Sequence, residues 1–255
     1  MASAAVRLGL LLPPSEGKAV GGDGPTWSAG LGLFPELEAR RTSLVRKLAR
    51  VRGGNEKLLG VGGKHLAAAR TANAALSTAP SLPAWQRYTG VVWSAFDVAS
   101  LPATARRKAM SSVIIVSGLL GLAALDDPTP EYRLKMGVSL APYGKLSTWW
   151  RPTIGGALAT WAADRFVVDL LPNEHRSACS SAHVHGVAVT FVERTGRVAG
   201  HDAKTAKGRL ARHLVTSGGH PLDALQSWTD PRFDLLLGPL APSADEAPVA
   251  SPPWK

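Results

Sequence analysis

Cysteine is almost absent from this chain of 255 residues, in which Cys179 is the only one. An intramolecular disulfide is therefore excluded, and a single reduced thiol predicts a cytoplasmic protein. Long apolar runs are also lacking, because the longest, Val113–Leu125, contains a serine and two glycines and is too short to span a bilayer. Two prolines, and no small-residue cleavage site, follow Met1–Leu12, so we expect a first strand there and no signal peptide.

Acidic residues are the second scarcity: 19 Asp and Glu stand against 29 Lys and Arg, which gives a net charge of +10. A surplus of this size attracts polyanions such as nucleic acids. Most of it lies between Arg40 and Arg70, where nine basic residues stand against Glu56 alone. This basic segment predicts a nucleic-acid-binding surface. A solvated basic helix face explains the same charges, so both interpretations stay open.

Aromatic residues make up only 6% of the chain, but 45% of it is apolar, which is enough to bury a core. Short apolar runs predict strands at Val6–Leu12, Val91–Phe96, Val113–Val116, Phe166–Leu171 and Val187–Val192. Helical spacing predicts helices at Phe34–Val51, His65–Leu76, Ser147–Asp164 and Lys204–Val215. The alternation predicts a mixed α/β (α+β) fold, one compact body over residues 1–238 with a flexible Pro/Ala-rich tail at 239–255.

A glycine-rich turn lies in the middle of the basic segment. Gly60, Val61 and Gly62 resemble the hairpin of a helix-hairpin-helix element, here at about residues 40–76. In such an element the glycines let backbone amides approach a DNA phosphate. A plain turn between two helices has the same pattern. If the element binds duplex DNA, without sequence preference, the expected contacts are Arg46, Lys47, Arg50, Gly60, Gly62, Lys64 and Arg70.

Several spaced motifs resemble one known family. Ser117–Leu122 (SGLLGL) and Tyr132–Gly137 (YRLKMG) are similar to the SGLYGLL and PYRLEMG core of the peroxide-stress YaaA family. The resemblance extends to Leu11–Lys18, Tyr88–Trp93 and Lys204–Arg209, so it covers most of the chain in the same order. It implies the mixed fold of that family, a role in oxidative stress and iron handling, duplex DNA as the partner, and a central polar cleft.

Tyr132 and Arg133 place a planar ring beside a cationic fork, a combination that recognises phosphates and flat bases. The resemblance assigns to the cleft the ligand contacts Lys18, Tyr88, Tyr132, Arg133, Lys204, Lys207 and Arg209. Glu174 matches the acidic position of the family's EY pair, whereas His175 replaces the tyrosine. The alternative function is an enzyme acting on a purine-like or other nucleobase-like small molecule. Its catalytic candidates are His201, Glu174, Tyr132 and Arg133.

Histidines in the last third of the chain raise the question of a metal. Neither a Cys-x-x-Cys nor a His-Glu-x-x-His pattern is present, so a structural zinc site is not expected. Haem or iron needs only one protein ligand, for which the candidates are His175, Cys179, His183, His185 and His201. We prefer His201, beside Lys204–Arg209, as the ligand in a haem- or iron-dependent oxygenase of the N-hydroxylase type. The same imidazole is equally suited to be a general base oriented by Glu174 or Asp202.

Overall fold

A six-stranded mixed sheet forms the centre of the computed structural model, which describes residues 6–179, 184–194 and 203–240. The strands of these residues are β1 (Arg7–Leu12), β2 (Ser81–Pro83), β3 (Val113–Ser117), β4 (Gly121–Ala124), β5 (Pro128–Pro130), β6 (Ser139–Leu140), β7 (Gly144–Lys145), β8 (Arg165–Asp169), β9 (Gly186–Glu193) and β10 (Phe233–Pro239). The large sheet has the order β10-β9-β8-β1-β3-β4, while β2 pairs with β5 and β6 with β7.

The middle of the large sheet is parallel. β1 is hydrogen-bonded in parallel to β3 on one side and to β8 on the other, and β9 runs parallel to β8. The edge strands β4 and β10 are antiparallel to their neighbours. Every residue of Leu8–Leu12 is buried, so both faces of β1 are covered, as is usual for a parallel strand. The predicted strands that correspond to β1, β3, β8 and β9 are confirmed.

Helices connect and cover these strands. Their bounds are α1 (Glu38–Arg50), α2 (Glu56–Leu59), α3 (Gly63–Ala74), α4 (Ala84–Arg87), α5 (Val91–Phe96), α6 (Ala103–Ser112), α7 (Leu146–Ala162), α8 (Asn173–Arg176), α9 (Ala203–Thr216) and α10 (Pro221–Ser227). Short 3-10 turns lie at Pro35–Leu37, Leu76–Thr78 and Val98–Ser100. The predicted helices that correspond to α1, α3, α7 and α9 are confirmed, with the first turn of the α1 region being 3-10. The mixed α/β fold is confirmed as well.

The predicted strand Val91–Phe96 is wrong, because these residues form α5. The buried side chains are Val92, Trp93 and Phe96, which share one helical face, whereas a strand would bury every second residue. A short apolar run does not distinguish a strand from a buried helix. The partner decides here: α5 packs against α9 so closely that a Cβ on Gly208 would collide with the backbone of α5.

One apolar core joins the sheet to the helices, with Leu10, Ile115, Trp150 and Val168 fully buried in it. β10 includes Pro239, the first residue of the predicted tail, and residues 241–255 lie outside the described part of the chain. Among the described residues, no helix combines the length and hydropathy needed to cross a membrane.

Candidate functional site

A cleft of about 390 Å³ lies where the parallel strands end. Within the large sheet, the chain leads from β1 to β3 on one side and from β8 to β9 on the other. The loops that follow β1 and β8 therefore diverge and leave a crevice. Ligands of open α/β sheets bind in such crevices at the carboxyl ends of the strands. Of the residues that the sequence assigned to the cleft, the lining includes Lys18, Tyr132, Arg133, Glu174, Lys204 and Lys207. We call this cavity the central cleft.

Lys18 is the most perturbed cation of the central cleft. Its Nζ donates a hydrogen bond to the Ser15 carbonyl oxygen at 2.8 Å and lies 4.2 Å from the ring centroid of Tyr132. Burial, together with the nearby charge of Arg133, lowers the pKa of Lys18 to about 7, against the opposing effect of Glu16. A large fraction of the amine is therefore neutral at neutral pH, which makes Lys18 an unusual anion contact.

Two tyrosines form a buried hydrogen-bonded chain beneath Lys18. The Tyr132 hydroxyl lies 2.8 Å from the Tyr88 hydroxyl and 2.6 Å from Ser117 Oγ, which also accepts hydrogen bonds from the amides of Leu119 and Leu120. Burial raises the pKa of Tyr132 to about 12 and raises the pKa of Tyr88 well above its ordinary value. Both phenols are therefore neutral. Tyr88 lies below the cleft and outside its lining.

Arg133 is held in place by the loop after β1. Its Nε donates to the Leu59 carbonyl at 2.9 Å, and Nη2 lies 2.5 Å from Glu16 Oε2. Lys135 Nζ lies 2.8 Å from the other oxygen of Glu16. Burial alone would raise the pKa of Glu16, but Lys135 and Arg133 reverse that effect and lower it. Glu16 therefore stays ionised and orients the guanidinium at the rim.

Helix α9 supplies cations from the opposite wall. Lys207 Nζ donates to the Leu170 carbonyl at 2.6 Å, and burial lowers its pKa to about 8, although Asp169 opposes the shift. Lys204 is exposed at the rim. Arg209 points elsewhere, since its Nη2 lies 3.4 Å from Asp230 Oδ2 and it is outside the cleft lining. Thus α9 brings two of its three predicted residues to the cleft.

Glu174 and His175 lie on α8, directly after β8. The Glu174 Oε1 oxygen is 3.6 Å from His175 Nδ1, too far for a hydrogen bond, and that nitrogen has no partner among the described residues. His175 is only 6% exposed, and burial, with a further effect of Lys207, lowers its pKa to about 4. The imidazole is therefore neutral in the physiological range.

Among the described residues, the candidate ligands for haem or iron are His175 at the cleft, Cys179 and His185. No group of three His, Cys, Asp or Glu side chains in this part of the chain is placed to hold a metal ion. Burial raises the pKa of the Cys179 thiol, and the His185 ring packs edge-on against Phe166. Of the candidate ligands among the described residues, His175 alone lines the cleft. His183, His201 and Asp202 lie outside the described residues.

The glycine turn joins the one-turn helix α2 to α3. Gly60 ends α2 in the left-handed region with φ of 62°, and Gly62 precedes α3 in an extended conformation. Both glycines are exposed. However, a Cβ on Gly62 would lie 3.0 Å from Glu56 Oε1, so a carboxylate stands at the turn where a helix-hairpin-helix element presents its amides to a phosphate. The turn touches the cleft rim, because a Cβ on Gly60 would lie 3.3 Å from Lys135 Nζ.

Part of the basic segment is internal, contrary to the simple charge count. Arg41 is buried and donates to four backbone carbonyls. Arg40 bonds to the Trp149 carbonyl and stacks on its ring, and Arg70 Nε donates to the Arg52 carbonyl at 3.2 Å. The positive surface that remains consists of Arg46, Lys47, Arg50, Arg52, Lys57, Lys64 and Arg70, with Lys47 partly buried. We call these residues the basic surface.

Comparison with known proteins decides the family. The model of the family described as "Peroxide stress protein YaaA" matches residues 8–235. The chain belongs to the YaaA family. A UPF0246 protein of Streptomyces coelicolor is 36% identical over 221 residues, which are 83% of this chain and 84% of the relative. UPF0246 proteins of Corynebacterium glutamicum and Corynebacterium efficiens are each 34% identical, over 82% of this chain and 85% of the relative.

The motifs shared with the YaaA family are the segments that build the cleft. Leu11–Lys18 supplies the loop after β1, Ser117–Leu122 supports Tyr132, and Tyr132–Gly137 forms a wall. A Cβ on Gly118 would lie 2.6 Å from the Leu134 carbonyl oxygen, so glycine lets two of these segments touch. Among the lining residues that were not predicted to face the cleft are Glu16, Trp93, Lys135 and His175. Three of them lie within the motifs themselves, which is the signal that points to them.

Proposed function

We propose that the central cleft of this YaaA-family protein binds a planar, anionic small molecule of the nucleobase or nucleotide class. One observation supports this most strongly: the lining contains five cationic side chains but only two carboxylates, Glu16 and Glu174. The cations are Lys18, Arg133, Lys135, Lys204 and Lys207. Trp93 and three prolines add flat apolar walls. Such a combination suits a molecule with a flat ring and a phosphate.

The proposal assigns this ligand a part in peroxide stress, the role that the family's name states. It includes a cytoplasmic location, which the single, unpaired Cys179 supports. We also propose that the protein acts as an enzyme on the bound molecule, because neutral Lys18 and neutral His175 line the cleft and are able to accept protons.

Arg133→Lys should weaken nucleotide binding about tenfold or more. Lysine keeps the charge but cannot hold the Leu59 carbonyl and Glu16 together while presenting a planar fork to a phosphate. Isothermal titration calorimetry with purine and pyrimidine nucleotides, free bases and inorganic phosphate measures the affinity. Arg107→Lys is the matched control, since Arg107 is exposed and outside the cleft lining. Equal affinities of the Arg133→Lys variant and the parent across the panel would leave Arg133 only a structural ion-pair partner.

We propose duplex DNA as a second ligand, bound by the basic surface next to the glycine turn. The observation that favours it is that Gly60, Gly62 and Lys64 are all exposed, as are Arg46 and Arg50 on α1. The Glu56 carboxylate at Gly62 opposes close approach of a phosphate, so side-chain cations are expected to contribute more than the backbone amides. Contacts of this kind carry no sequence preference and are sensitive to salt.

Replacing Lys47, Arg50 and Lys64 together by alanine should weaken DNA binding and reduce its salt slope by roughly 0.9 for each phosphate that is left without its cation. Fluorescence anisotropy with a duplex oligonucleotide at several salt concentrations measures both quantities. The control removes the same charge elsewhere, at Arg7, Arg106 and Arg107 near the other end of β1. Gly62→Ala tests the turn, and Glu56→Gln should tighten binding. Parental affinity and slope in the triple variant would disprove binding by this surface.

A further inference from the structure

We propose that Lys18 is a nucleophile that forms an imine with an aldehyde-bearing sugar phosphate held in the central cleft. This inference rests on the proposed function, because it names the reacting group and the substrate class of the same cleft. Lys18 was expected from the sequence only as a contact to an anion. Its surroundings suit covalent chemistry better.

The position of the amine is the first argument. Lys18 Nζ has one hydrogen bond, to the Ser15 carbonyl, and among the described residues it forms no ion pair with a carboxylate. Glu16 is the nearest candidate, but its two oxygens are already held by Arg133 and Lys135. The amine therefore lines the cleft without a counterion that would keep it protonated.

The reaction also requires Lys18 to be unprotonated, because only the neutral amine attacks a carbonyl. Burial and the nearby charge of Arg133 together lower the pKa of Lys18 to about 7, against the opposing effects of Glu16 and Glu131. The Tyr88 and Tyr132 phenols beneath it are neutral. The remaining charged or titratable groups around it are Arg87, Glu131, Lys135, Glu174, His175, Lys204 and Lys207. Cations predominate in this set, which keeps the amine reactive at neutral pH.

The reaction is balanced without any cofactor. The nitrogen lone pair adds to the aldehyde carbon while the carbonyl π pair moves to oxygen, which gives a carbinolamine. The carbinolamine then loses water: both protons of the neutral amine leave with the former carbonyl oxygen. The product is an imine between Nζ and the aldehyde carbon, and no group is oxidised or reduced. Hydrolysis reverses the step.

The positive charge of the cleft suits the phosphate of the proposed substrate. Lys204 and Lys207 on α9, together with Arg133, provide positive charge in the same cleft as Lys18. The cleft rim also touches the glycine turn, through Arg133 at the Leu59 carbonyl and Lys135 at Gly60. A deoxyribose phosphate aldehyde has two sources, the free sugar phosphate and an abasic nucleotide in DNA. Both present the same chemistry to Lys18.

Reductive trapping tests the inference. The full-length protein is incubated with 2-deoxyribose 5-phosphate, or with a duplex that contains one abasic site, in the presence of sodium cyanoborohydride. Reduction turns the imine into a stable secondary amine, which peptide mass spectrometry locates. We expect the adduct on Lys18, lost in Lys18→Met and retained in Lys145→Arg, a change at an exposed lysine outside the cleft lining and the basic surface. The trapping rate of the parent should be half-maximal near pH 7, whereas an ordinary surface lysine continues to gain reactivity toward pH 10.

The result with each substrate identifies the source. An adduct with the free sugar phosphate alone supports a small metabolite, and an adduct with abasic DNA alone supports a damaged strand. No adduct on Lys18 with either, or equal labelling of exposed lysines, overturns the inference. The pH profile uses the parent, so it decides the matter even if Lys18→Met does not fold. If calorimetry shows nucleotide binding but no adduct is trapped, only the imine inference is disproved. If an adduct is trapped but nucleotides do not bind, only the nucleotide proposal is disproved.

Discussion

Replacing Arg41 by methionine should lower the free energy of unfolding by about 3–5 kcal/mol. Arg41 is only 2% exposed, and its guanidinium donates to the carbonyls of Leu120, Leu122, Ala29 and Leu31 at 2.8–3.1 Å. It thereby ties α1 to the end of the turn between β3 and β4, to β4 itself and to the loop that precedes α1. Methionine fills much of the volume but removes the donor from four carbonyls, of which those of Leu120 and Leu122 are buried, and each buried loss costs roughly 1–3 kcal/mol before relaxation.

Urea denaturation followed by circular dichroism measures this effect. Arg46→Met on the same helix is the control, because Arg46 is exposed and its loss should change stability by no more than about 0.5 kcal/mol. Similar midpoints for the two variants would show that the hydrogen bonds of Arg41 contribute little.

Lys18→Met should stabilise the protein most at low pH. The pKa of Lys18 falls from its ordinary 10.5 to about 7 on folding, so below pH 7 the folded state holds a buried charge that the variant lacks. As pH rises from about 7 to 10.5, the folded state releases this proton before the unfolded state does, and the parent gains stability. The advantage of the variant should therefore shrink by roughly 1.4 kcal/mol for each pH unit in this window and be constant below it.

Parallel denaturation of parent and variant at pH 6, 7, 8 and 9 gives the difference directly. Lys64→Met serves as the control, because Lys64 is exposed and lies outside the cleft lining. A flat difference for Lys18→Met would mean that Lys18 keeps an ordinary pKa. It would also remove the physical basis for a nucleophilic amine in the cleft.

The apolar pattern of the sequence was sufficient to predict the strands in the middle of the sheet. β1 and β3 are buried at nearly every residue because they lie in the middle of the sheet, so each appears in the sequence as an apolar run. Val91–Phe96 is also an apolar run but forms a helix, because it packs against α9, which lies more than 100 residues away in the chain. Short apolar segments therefore fail where a distant partner selects the conformation.

The sequence likewise predicted only part of the central cleft. Motifs similar to the YaaA family pointed to Lys18, Tyr132 and Arg133, which the structure brings together. Nothing in the motifs indicated that Glu16 fixes Arg133, or that Lys18 Nζ lies on the Tyr132 ring. The charge count likewise treated Arg41 and Arg46 alike, although one is internal and the other exposed. Composition records charge but not the direction in which a side chain points.

The sequence by itself determined the family, the mixed α/β class, the positions of the core strands and the residue types that line the cleft, since these depend on local composition and ordered motifs. Only the tertiary structure decided which cations face the cleft, which one loses its proton near pH 7 and where the glycine turn lies relative to the rim. Those properties depend on burial and on distances between residues far apart in the chain. A linear pattern contains neither quantity.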